Sequence, residues 1–240
     1  MPFVQQITWD DVPHLSEAQK QKLMSAIPPH QRDARTRGDP VLGAGVIYPV
    51  PWSEVSVAPF AIPPYWKRGY GLDFGWNRTA AIWAAQNPAD SVIYAYAEHY
   101  RGQAEPVIHS EAIKARGGWI KGAADPAGHG ASQIDGRKLI DLYRANGLKL
   151  VEAENAVEAG LYQVWTLLST GQLKLFTTLQ KTSAEYRIYR RDERGRIIKE
   201  NDHLMDALRY LIMTWTKIAT VQAPPTAIGR SMIGDREAGY

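Results

Sequence analysis

With 240 residues, 45% of them hydrophobic and 22% charged, the chain can bury a sizeable core and falls in the ordinary range of globular proteins. It has no cysteine, which excludes a disulfide framework and thiolate-held metals; any metal must be held by oxygen or imidazole. No apolar run approaches the ~18–20 residues that span a bilayer and no signal-peptide pattern opens the chain, which points to a cytosolic protein, while a net charge of +3 decides nothing about nucleic acid unless it is clustered.

Residues 1–66 read as a lead-in arm that packs on something else. One helix is expected from about Ser16, which caps it, closing before Pro28-Pro29. The stretch "HQRDARTRGDPVLGAGVIYPVPW" that follows is too rich in Gly, Pro and charge to bury much by itself. From Lys67 the pattern changes to three strand-like runs, "RGYGLDFGW", "TAAIWAAQ" and "SVIYAYAEHY", the last two parted by the turn Asn87–Asp90. Then come a helix ("EPVIHSEAIKAR"), a strand running into a Gly/Pro loop ("WIKGAADPAG"), and an amphipathic helix closed by Asn146-Gly147. The strand "LKLVEA", the helix "AVEAGLYQVWTLLSTG" and a short edge or exit strand "QLKLF" follow. "SAEYRIYRRDERGRIIKEN" alternates apolar and polar residues about Asp192–Gly195 and reads as a basic β-hairpin. "DHLMDALRYLIMTWTKIA" is the final helix, and residues 221–240 read as a flexible tail, so that residues 67–220 form the main domain.

A three-strand antiparallel meander followed by right-handed crossovers makes a mixed sheet with helices on both faces, the α/β element order of the ribonuclease H-like fold. Within it, Asp73 lies in an apolar strand, where an uncompensated carboxylate costs several kcal/mol. Asp125 ends the fourth predicted strand, a parallel neighbour of the first in this order. Asp206 sits one turn into the last helix, with His203 three positions earlier on the same helix face. Three converging carboxylates need cations between them, and hard oxygen donors select Mg²⁺ or Mn²⁺. Two such ions can activate a water and stabilise the leaving oxygen in phosphodiester hydrolysis. Singly, Asp73 could be a bulge residue, Asp125 a turn former, Asp202 a helix cap and His203 a surface histidine; the combination is what points to a metal site.

"GLDFGWNRTAA", "ADPAG" and "KENDHLMDALRY" resemble, in order, the three acidic motifs of the nuclease domain of tailed-phage terminase large subunits, over roughly residues 67–217. The segment from "TWDDVPHLSEAQK" to "PVLGAGVIYPV" resembles that family's junction between ATPase and nuclease. The resemblance implies a metal-dependent endonuclease that cuts concatemeric double-stranded viral DNA during packaging, in the cytoplasm of an infected or prophage-carrying host. It implies Asp73, Asp125 and Asp206 as ligands of two Mg²⁺ or Mn²⁺ ions and His203 as an assisting neighbour. The implied partners are double-stranded DNA, an ATPase motor domain, a small terminase subunit and a portal, with no membrane. No G-x-x-x-x-G-K-[ST] occurs, so the motor half is expected elsewhere.

Charge clustering agrees with a DNA substrate. Arg187, Arg190, Arg191, Arg194, Arg196 and Lys199 crowd the expected hairpin against only Asp192 and Glu193. Arg78, Lys121 and His129 are further candidates near the first two acids. Trp83, Trp165 and Trp215 sit in apolar patterns and read as core, with no array for stacking single-stranded bases. Three rivals compete: an actin-like ATPase or kinase, whose first phosphate turn "GLDFGWNRTAA" also resembles but whose second turn finds only "IDGRK" at Ile134–Lys138; a non-catalytic DNA-docking module of the same fold; and a different ribonuclease H-like nuclease such as a resolvase or transposase core, against which the lead-in segment favours terminase.

Overall fold

The computed structural model describes residues 16, 19–21, 45–125 and 139–223. "IDGRK", His129 and the Gly/Pro loop after Asp125 lie outside the described residues, as does most of the predicted first helix. Its start is visible. Ser16 Oγ accepts from the Gln19 amide at 3.4 Å and the Gln19 side chain accepts from the Ser16 amide at 3.0 Å, a reciprocal capping box.

Seven strands form one sheet: β1 (Ser56–Val57), β2 (Lys67–Asp73), β3 (Thr79–Gln86), β4 (Ile93–Arg101), β5 (Lys121–Ala124), β6 (Lys149–Glu152) and β7 (Leu173–Phe176), in the order β1-β7-β4-β3-β2-β5-β6. β2, β3 and β4 are the antiparallel meander; β5 and β6 add in parallel on one side, β7 and β1 on the other. This is the expected mixed sheet. "QLKLF" is not an edge, however. Two residues of the lead-in segment, Ser56 and Val57, pair with Leu175 and Phe176 and cover it. The same segment inserts Tyr48 and Val55 into the main core.

The described helices are α1 (Trp52–Val55), α2 (Pro106–Lys114), α3 (Leu139–Ala145), α4 (Val157–Ser169), α5 (Gln180–Ile188), α6 (His203–Met213) and α7 (Trp215–Ile218). On one face, Tyr70, Leu72, Ala81 and Trp83 pack against Ile113 of α2 and Ile140 and Tyr143 of α3. On the other, Ala80, Ile82 and Ala84 meet residues of α4, α5 and α6, including Val164, Tyr186, Leu204 and Leu208. Alternation on β2 explains how close α6 comes. After Lys67, the residues of β2 on that face are Gly69, Gly71 and Asp73. A Cβ at Gly71 would overlap the Ala207 carbonyl oxygen, so its absence lets the α6 backbone lie on the strand and sets the first turn of α6 beside Asp73.

The final helix breaks at Thr214 rather than running through to Ala219. The basic hairpin is shorter than alternation indicates. Residues 183–188, the larger part of its expected first arm, belong to α5; what remains is a short hairpin with an Arg191–Ile197 bridge, the Ile198 amide on the Arg190 carbonyl at 3.0 Å and a turn closed by the Gly195 amide on the Asp192 carbonyl at 2.9 Å. The inward residues of α5 are Thr182, Glu185 and Tyr186, with Tyr189 just beyond its end, a helical spacing in which half the positions are polar.

Candidate active site

Asp73 and Asp125 end neighbouring parallel strands. Leu72 is level with Ala124, and the Asp125 amide donates to the Leu72 carbonyl at 3.0 Å, so the two acids leave the sheet side by side. Asp206 comes from the first turn of α6, which Gly71 holds against β2. Asp73 and Asp206 are buried at 8% and 7% exposure and Asp125 is half-buried. The Asp73 carboxyl is pushed up to about 6, first by burial and further by the charges of Asp206 and Asp125, against the pull of His203. Both other carboxylates therefore lie within electrostatic reach of Asp73.

His203 Nδ1 donates to Asp73 Oδ2 at 2.9 Å. That hydrogen bond raises the imidazole's pKa despite partial burial. The Tyr100 ring lies 6.5 Å from the His203 ring, centre to centre, and carries the Arg78 guanidinium 4.7 Å above its own centre. Asp206 meets two cations. Arg209, three residues on and 2% exposed, donates from Nη2 to Asp206 Oδ1 at 3.0 Å and from Nη1 to Asn155 Oδ1 at 2.8 Å. Lys199 Nζ lies 2.7 Å from Asp206 Oδ2 and 3.0 Å from Asp202 Oδ2. Burial works against the lysine's charge, but the two carboxylates outweigh it and its pKa rises.

Asp202 occupies the N-cap position of α6 yet makes no capping hydrogen bond. Glu185 of α5 takes that role: one of its carboxylate oxygens accepts from the Leu204 amide at 2.6 Å and the Met205 amide at 3.4 Å. α5 is capped in the same manner, by Glu98 of β4, which accepts from the amides of Lys181 and Thr182 at 2.9 and 2.8 Å. A chain of two borrowed caps therefore runs from the meander through α5 to the helix bearing His203 and Asp206.

Glu185, Tyr100, Asn155 and Arg209 are absent from the sequence-based site. Only Arg209 had a local signal, its three-residue spacing from Asp206. Lys121 begins β5, at the opposite end of the strand from Asp125, and does not join the site. Among the described residues, no three His, Asp or Glu side chains are gathered tightly enough to hold one ion as they stand. The donor set nevertheless suits a hard divalent cation. It is all oxygen apart from one imidazole, and burial, the main cause of the raised Asp73 pKa, disfavours its charge unless a cation compensates it.

The six basic candidates separate into two groups. Arg191 forms a two-pronged ion pair with Glu158, at 3.0 and 2.6 Å, Arg196 pairs with Asp192 at 2.9 Å, and Lys199 is held as above. Arg187, Arg190 and Arg194 are exposed and make no ion pair among the described residues. Arg187 and Arg190 also line a groove of about 320 Å³ with Val46, Ile188, Ile198, Glu200 and Asn201.

The model of the family described as the terminase RNaseH-like domain matches residues 70–214. The large terminase subunit of Salmonella phage P22 is 29% identical over 208 residues, covering 83% of this chain and 42% of the phage protein. The chain thus spans less than half the length of the curated relatives it matches. Among solved structures, the P22 large terminase nuclease domain superposes with a TM-score of 0.68 at 29% identity, covering 75% of this chain and 96% of that one. The large terminase of a thermophilic bacteriophage, solved in complex with ADP, gives 0.62 at 25% identity, over 85% of this chain and 53% of that one.

Proposed function

Because the chain belongs to the terminase RNaseH-like domain family, we propose that it is a metal-dependent endonuclease that cuts concatemeric double-stranded viral DNA during genome packaging. The observation that carries this reading is the placing of Asp73, Asp125 and Asp206 at one end of the sheet, close enough for the two others to raise the Asp73 pKa. These acids would hold Mg²⁺ or Mn²⁺, two ions in this reading. When bound, such ions lower the pKa of a water and neutralise charge on a phosphodiester.

The chain's own groups do the positioning. His203 fixes the Asp73 carboxylate through its Nδ1–H. Arg209, itself oriented by Asn155, fixes one oxygen of Asp206 and leaves the other facing Lys199. Arg187, Arg190 and Arg194 would follow the phosphate backbone, giving affinity without base reading. Its partners in this reading are double-stranded DNA, an ATPase motor domain, a small terminase subunit and a portal, within the host cytoplasm. Among the described residues, no helix is long and apolar enough to cross a membrane.

Supercoiled plasmid incubated with Mn²⁺, Mg²⁺ or EDTA tests the activity. Nicked and linear products are expected with metal only, and Asp73→Asn or Asp125→Ala should abolish them while the circular dichroism spectrum is kept. A folded Asp125→Ala protein that still cuts at the wild-type rate removes that ligand from the site. ATP hydrolysis without cleavage would favour the actin-like alternative.

A further inference from the structure

Three residues beyond Asp73, the loop between β2 and β3 exposes 63% of Trp76 to solvent. A tryptophan is the side chain that gains most from burial, and leaving one bare is unusual away from interfaces. Phe60, also exposed, packs on Trp66 and Tyr94, and Tyr162 on Trp165, whereas Tyr65 is as bare as Trp76 but lies in the lead-in segment, away from the acids in sequence. Among the described residues, no aromatic ring packs on Trp76.

The loop that carries it is tightly fixed. The Gln103 amide donates to the Trp76 carbonyl at 2.8 Å, and Thr79 Oγ1 donates to the Gly75 carbonyl at 3.0 Å. Gly102 lies so near that a Cβ there would overlap the Asn77 carbonyl oxygen, and Gln103 adopts a left-handed φ of 53° to keep the contact. Backbone this well held loses little further entropy when the side chain meets a partner. The surroundings select the partner's charge. Arg78 is held over Tyr100, Arg101 ends the strand that pairs beside the loop, and no acid lies between Asp73 and Gln86, Glu105 being the first acid beyond Gln103 on the facing segment. Three residues span at most about 11 Å, so a duplex whose phosphodiester meets Asp73 brings its groove within reach of Trp76.

We propose that Trp76 is a wedge that enters the minor groove of bound DNA next to the scissile phosphodiester and loosens the stacking of one base step, with Arg78 and Arg101 on the flanking phosphates. This rests on the nuclease reading of the neighbouring acids. The wedge holds the strand in place by an apolar contact that neither the metal ligands nor the arginines provide, and it favours steps that unstack readily.

Short duplexes carrying 2-aminopurine at successive positions, bound in Ca²⁺ without turnover, report unstacking directly. Wild-type protein should raise the fluorescence at one step. Trp76→Ala should abolish that rise and weaken binding about tenfold, while Trp76→Phe keeps most of both. The slope of log affinity against log salt should stay unchanged, because no charge is removed. Thermal unfolding should also be unaffected, as the side chain is mostly in water. No fluorescence rise with wild-type protein, a rise that survives in Trp76→Ala, or equal affinity of the two proteins overturns the proposal; equal affinity would leave the ring to a protein contact. Plasmid cleavage by the wild-type chain, scored separately, shows whether the nuclease reading itself has failed.

Discussion

Asp73 and Asp206 each meet their own counter-charges, and the differences predict how the site responds to metal. Asp73 has His203, whose proton can leave; Asp206 has Arg209, buried and always charged, and Lys199, whose side chain is 60% exposed. Arg209 is part of the core, with its guanidinium 4.6 Å from the Tyr210 ring centre, and cannot withdraw without breaking the Asn155 contact. Lys199 can withdraw, because only its tip is engaged. It therefore competes with any divalent cation for Asp206, and Lys199→Met should bind Mn²⁺ about three- to tenfold more tightly in calorimetric titration without DNA. That factor corresponds to roughly 1 kcal/mol for an ion pair with one exposed partner. Unchanged or weaker Mn²⁺ affinity would show that the lysine does not stand where the cation goes.

The helices carrying these residues owe their ends to other elements. α6 begins at His203 with Glu185 of α5 supplying the cap, and Glu185 is 3% exposed. Removing its carboxylate leaves the Leu204 and Met205 amides without partners in a buried place, so Glu185→Ala should lower unfolding stability by about 1–3 kcal/mol in urea titration. Glu185→Gln, which keeps an acceptor oxygen, should recover most of it. Equal stability of Glu185→Ala and wild type would mean that water caps the helix equally well. These borrowed caps also mark where sequence reading stops. The meander, the acid at the end of β2 and its parallel partner strand were legible, because alternation and element order are local patterns. α5 was not. Its inward positions include Thr182 and Glu185, which look polar until Glu98, some eighty residues earlier, is seen bonding to one and the α6 amides to the other. Likewise, the burial of "QLKLF" depends on a two-residue strand from a Pro-rich segment that no periodicity announces. His203 and Asp206 could be paired by helix spacing, but Arg209 escaped because buried arginine is rare and its reason, Asn155, lies on another segment.

At the scale of the molecule, the basic segment joins the lead-in residues to the acid cluster. Val46 pairs with Arg190, the Arg191 amide donates to Gly45, and the chain then turns at Asp192–Gly195 and returns through Lys199 to Asp206. One strip of surface thus leads from free arginines to the carboxylates. Sequence counting treats its six cations alike; the structure does not. Arg191 and Arg196 already spend their charge on Glu158 and Asp192, so a phosphate would have to displace a carboxylate to reach them. Arg187, Arg190 and Arg194 make no ion pair among the described residues, although Glu200 shares the groove of the first two. Each phosphate neutralised on duplex DNA adds about 0.9 to the slope of log affinity against log salt, through release of condensed counterions. Replacing Arg187, Arg190 and Arg194 together by alanine should therefore reduce that slope by about 2–3, measured by anisotropy of a labelled duplex across a salt series. Arg191→Ala should change it by well under one unit, although it removes the same formal charge as any one of the three. If the two proteins lose slope in proportion to charge removed, the DNA responds only to the net field of the strip. If the triple variant keeps the wild-type slope, the duplex reaches the acids along another face, and the groove beside Arg187 and Arg190 is not its path.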